Sequence, residues 1–132
     1  MGENAILEEL KYIHQLLDES IHKMDEILRP RMGNVLWRVF FPAGQFMQQK
    51  SITKEAAAIL INIGTRLQEM IVVLEERKHP LTPTIQSQLN VDIFVIADKL
   101  VELPERAQYF IPTIEDFQKR IEEIIKKIES KE

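Results

Sequence analysis

Apolar residues recur at spacings of three and four through nearly the whole chain, and strict apolar–polar alternation never persists. That recurrence matches the 3.6-residue turn of an α-helix and opposes the two-residue period of a half-buried strand. The chain therefore reads as all-α. In the first segment Ile6, Leu10, Ile13, Leu17, Met24 and Ile27 form a heptad seam interrupted only at Ser20 and widened by Leu7, Ile21 and Leu28. The spacing predicts a helix from Glu3 to Leu28, stopped by Pro30 because a proline pushes the residue before it out of helical space.

Four further segments follow by the same logic. A shorter helix is predicted from Asn34, as N-cap, to Gln48, with Pro42 and Gly44 as points where it bends or splits. A long helix is expected from Ser51 or Thr53, with Ala56, Leu60, Ile63, Leu67, Met70 and Leu74 on its seam and Pro80 beyond its end. Thr82 and Pro83 supply a cap followed by a proline at the first helical position, and the next helix runs to Leu103 through Leu89, Ile93, Ile96 and Leu100. A strand over VDIFVIA competes there, but the apolar register stays helical beyond it. Pro104 and Pro112 bracket a connection with room for a helical turn. Thr113 then caps the last helix, whose seam is Ile114, Phe117, Ile121, Ile124 and Ile128.

Four long amphipathic helices joined by short proline-marked turns bury their stripes most simply as an antiparallel four-helix bundle. The expected fold is a single domain over 1–132, with one extra short helix between the first and second long helices. A chain of 132 residues with 45% apolar and 29% charged residues has the composition for one such core. Two helices carry more apolar surface than a single face requires: Ile59, Ile61 and Val72 on the third segment, and Val91, Phe94, Val95 and Val101 on the fourth. Either both helices are central in the bundle, or a second copy of the chain covers this surplus, giving a homodimer whose interface includes Ile61, Val72, Phe94 and Val101. Gly64 and Ala57, seven residues apart, leave room for a neighbouring helix to approach closely.

Little in the chain nominates chemistry. The absence of cysteine removes thiolate ligands, disulfides and cysteine nucleophiles, and no phosphate-binding loop, dinucleotide fingerprint, zinc-protease or nucleophile-elbow motif is present. Two Glu-x-x-His motifs, Glu19/His22 and Glu76/His79, have the spacing of di-metal bundle ligands. Their heptad phase points both outward, so neither a metal site nor a cofactor is expected, and His79 reads as a cation at a helix C-terminus. His14 lies on a flank of the first seam, with Asp18 four residues on as its expected partner.

One stretch breaks the pattern. RPRMGNVLWRVFFPAGQF, residues 29–46, gathers the only tryptophan, three of six phenylalanines and three arginines without a carboxylate. From Ile27 to Lys54 there is no acidic residue, and Arg29, Arg31, Arg38, Lys50 and Lys54 give that span +5, against −9 for the remainder of the 17 basic and 21 acidic residues. One reading has Trp37 and Phe41 cap one end of the bundle, with the arginines bridging acidic neighbours on the first and last helices. In the functional reading Arg29, Arg31, Trp37, Arg38 and Phe41 bind a partner, protein ranking ahead of nucleic acid because the acidic remainder weakens attraction to polyanions.

The sequence thus points to a small non-enzymatic bundle acting through protein contacts. A nucleic-acid-binding accessory protein is the second reading and a di-metal bundle enzyme the third. The acidic start MGENAILEELK does not resemble a signal peptide and no unbroken apolar run reaches the length of a bilayer span, so a cytoplasmic location is expected.

Overall fold

The computed structural model describes residues 3–28, 42–89 and 92–130, except for the side chains of residues 3, 26–28, 42–49 and 105. The fold is all-α, and no strand occurs among the described residues. It contains α1 (Glu3–Leu28), α2 (Pro42–Glu76), α3 (Thr82–Gln88), α4 (Ile93–Glu102), a 3-10 helix (Pro104–Phe110) and α5 (Ile111–Ser130).

Ion pairs and hydrogen bonds fix the directions of the long helices. Glu9 of α1 meets Arg66 of α2 and Lys23 meets Glu55, so one helix ascends as the other descends. Lys11 with Glu129, His14 with Glu122, and Asp18 with Gln118 give α1 and α5 the same antiparallel relation. α4 packs on another flank of α2, and the 3-10 helix touches α1, α2, α4 and α5. Its Ala107 is fully buried.

The predicted seams face inward. Leu10, Ile13, Leu17, Leu60, Ile63, Leu74, Leu100 and Ile121 are at most 1% exposed, and Phe117 is the largest fully buried side chain among the described residues. Leu17, Leu60, Ile93, Ile96, Ile114 and Phe117 leave a void of only about 10 Å³ between them, consistent with interiors packed to crystal density. Ser20, the interruption in the α1 seam, is also fully buried, and its hydroxyl finds no hydrogen-bond partner.

Several expected boundaries are corrected. The long central helix starts at Pro42 rather than at Ser51 or Thr53, so residues 42–48 belong to α2 and not to a separate short helix. Residues 34–41, the rest of that expected helix, lie outside the described residues. A proline at the first helical position lacks only a donor that would be unpaired there anyway. Thr53, an expected helix start, instead lies mid-helix, and its hydroxyl donates to the Lys50 carbonyl at 3.0 Å.

The expected helix from Thr82 to Leu103 is two helices. Leu89 leaves helical geometry at φ −112°, ψ 39°, and Asp92 then caps α4 by accepting from the Val95 N–H at 3.3 Å. Ile85 of α3 and Ile93 of α4 are both buried. Thr82 does not cap α3, which begins at Thr82 itself, and Thr113 does not cap α5, which begins at Ile111.

α2 ends in a Schellman motif. The His79 N–H donates to the Leu74 carbonyl at 3.0 Å and the Lys78 N–H to that of Glu75 at 3.1 Å. Lys78 sits at the left-handed position with φ 50°, where glycine is usual.

Candidate interaction surface

The extended heptad register of α2 gives this helix two faces. One is the core seam. The other, turned away from α1 and α4, carries Ile61 at 44% exposure and Val72 at 51%, with Ala58, Thr65 and Gln68 also exposed. Large apolar side chains held half in water are unremarkable singly; here they share one ridge of a helix. Lys50–Glu76 is also long and apolar enough to cross a membrane by length and composition, although it contains no unbroken apolar run of that length. Less than half of its most apolar stretch is buried.

Two grooves flank this ridge. One, of about 440 Å³, lies between α2 and the α3–α4 junction and is lined by Gly64, Gln68, Ile71, Asp92 and Phe94. The other, of about 420 Å³, lies toward α1 and is lined by Asn62, Thr65, Arg66, Glu69 and Val73. Arg66 is fixed on the wall of the second: its Nη1 donates to both carboxylate oxygens of Glu9 at 3.0 and 3.3 Å. Its guanidinium carbon stands 4.5 Å from the centre of the Tyr12 ring. The hydrogen bond to Glu9 holds the Arg66 pKa above its usual value against the opposing effect of desolvation.

The four expected dimer-interface residues do not play one role. Ile61, Val72 and Val101 are exposed, whereas Phe94 is half-buried with its ring against Gly64. A methyl group on Gly64 would stand 2.8 Å from Phe94 Cζ and 3.2 Å from Cε1, so the missing side chain is what lets α4 approach α2. Ala57, seven residues earlier, is 1% exposed. Val95 of α4 is exposed as well, at 44%.

The other candidates are less productive. Arg29, Arg31, Trp37, Arg38 and Phe41 lie outside the described residues. Glu19, His22 and Glu76 are exposed, as their heptad phase implied, and no group of three metal-ligating side chains occurs among the described residues. The His22 ring donates through Nδ1 to the Asp18 carbonyl at 2.8 Å. The His79 ring stands in the turn after α2, where Nδ1 accepts from the Leu81 N–H at 3.1 Å.

His14 is half-buried as expected, but its partner is corrected from Asp18 to Glu122, reached by Nε2 at 2.7 Å. That pair joins helices 108 residues apart in sequence, and the rest of its shallow groove is Lys11, Ile125, Lys126 and Glu129.

Thr65, Gln68 and the flanking grooves were the features that sequence reasoning missed. The signal was present as a second spacing of four and three along α2, with Ala58, Ile61, Thr65, Gln68 and Val72 offset from the core seam. Comparison with protein-family models, curated proteins and solved structures finds no significant match to this chain.

Proposed function

We propose that this protein is a non-enzymatic helical bundle that works through protein contacts and associates with a second copy of itself through the exposed surface of α2 and α4. The observation that carries the reading is the outward ridge of α2, where Ile61 and Val72 are half-exposed on one face of the helix. Burying that surface on association removes apolar area from water, worth roughly 25 cal/mol per Å² before the cost of docking. Val95 and Val101, both exposed on α4, add to the apolar area available.

Sedimentation equilibrium tests the reading. The expected mass is twice 15.5 kDa at high micromolar concentration, and Ile61→Glu combined with Val72→Glu returns it to a single chain without loss of helicity. A wild-type protein that stays at one chain mass throughout this range contradicts the proposal.

A further inference from the structure

We infer that the outward ridge of α2 pairs with the same ridge of a second copy in antiparallel, two-fold register, Ile61 of each chain packing against the partner's Val72. This deepens the self-association proposed above and rests on it.

Geometry supplies the first argument. Lys54, Ala58, Ile61, Thr65, Gln68 and Val72 are spaced alternately by four and three and are all exposed. At roughly 100° per residue such a series stays within one narrow sector of the helix, the requirement for a seam between two helices. The grooves of about 440 and 420 Å³ lie on either side of that seam. A helix ridge seats in grooves of this kind, and a two-fold axis lets each copy present both.

Charge sets the direction. The ridge carries Lys54 toward its N-terminal end and Glu76 toward the other, both exposed. Parallel pairing would place each of these against its own copy, like charge on like. Antiparallel pairing brings Lys54 toward the partner's Glu76 twice over and forms two Ile61–Val72 layers. Thr65 and Gln68 then meet at the axis as a central polar layer, the kind of layer that fixes register in helix pairs. A membrane surface fits less well, since interfacial helices carry lysine and arginine along their polar flanks and this ridge ends in carboxylates.

The chain has no cysteine, so one introduced thiol reports alone. In the full-length protein, Thr65→Cys lies at the axis and is expected to oxidise to a disulfide-linked dimer. Ala58→Cys is expected to remain uncrosslinked, because its two copies stand about 25 Å apart along the helices. Lys54→Glu should weaken dimerisation roughly five-fold, and adding Glu76→Lys should restore it.

The outcomes separate the two claims. Crosslinking of both cysteine variants means parallel pairing and overturns the register. A dimeric mass with no crosslink at Thr65→Cys means another face is used, which overturns this inference but leaves self-association standing. A single-chain mass at all concentrations removes both. Ile61-dependent sedimentation with phosphatidylglycerol vesicles, without a dimer, would assign the ridge to a membrane and also overturn the pairing.

Discussion

The two faces of α2 are built from similar residues and meet opposite environments. Leu60 and Ile63 are at most 1% exposed, while Ile61 between them is 44% exposed. Residue type alone does not distinguish them; their angle on the helix does. The inward face is enclosed by α1, α4 and the 3-10 helix, whereas the outward face has only shallow grooves beside it. Among the described residues, the exposed large aliphatic side chains fall on α2, at Ile61 and Val72, and on α4, at Val95 and Val101.

The largest effect that sharpens the contrast is on the inward face. Leu60→Ala leaves a cavity beside the already tight void at Phe117 and is expected to cost about 2–5 kcal/mol in urea unfolding. A cost below 1 kcal/mol would mean that the seam is not the core. Gly64→Ala comes next, because the added methyl group pushes the Phe94 ring and α4 outward. The helix-propensity gain of about 1 kcal/mol offsets part of the clash. A net loss of about 1 kcal/mol is expected, most of it regained by adding Phe94→Leu; failure of that rescue would show that the close approach is not the cause.

Lys78→Gly acts in the opposite direction. Lysine at φ 50° carries a steric cost that glycine avoids, so the midpoint should rise by the equivalent of about 0.5–1 kcal/mol. The smallest effect belongs to the outward face. Ile61→Ala, measured at a dilution where the chain is a monomer, should change unfolding stability by no more than about 0.5 kcal/mol. A loss comparable to that of Leu60→Ala would erase the distinction between the faces.

Much of this fold was legible in the sequence, because apolar spacing reports which side of a helix is buried and the seams of all the long helices rest on nothing else. Breaks and caps were harder. The register of Leu89, Ile93 and Ile96 continues through the α3–α4 junction, so the capping aspartate at Asp92 was hidden inside a pattern that looked unbroken. At Pro42 the same proline chemistry permits either a bend or a helix start. The left-handed turn at Lys78 lacks the glycine that would have announced it. Partners across helices, Glu122 for His14 and Arg66 for Glu9, depend on packing that one strand of text does not contain. The candidate surface was half legible: Ile61 and Val72 stood out as surplus, but the grooves arise only when α1, α3 and α4 settle beside α2.

The central claim, that α2 has one face for the core and another for a partner, is tested most directly by methyl NMR on isoleucine- and valine-labelled protein through a dilution series. The account predicts that the signals of Ile61 and Val72 move with concentration while those of Ile63 and Ile121 stay fixed. Unmoved Ile61 and Val72 signals, or shifts confined to residues away from α2, would contradict it.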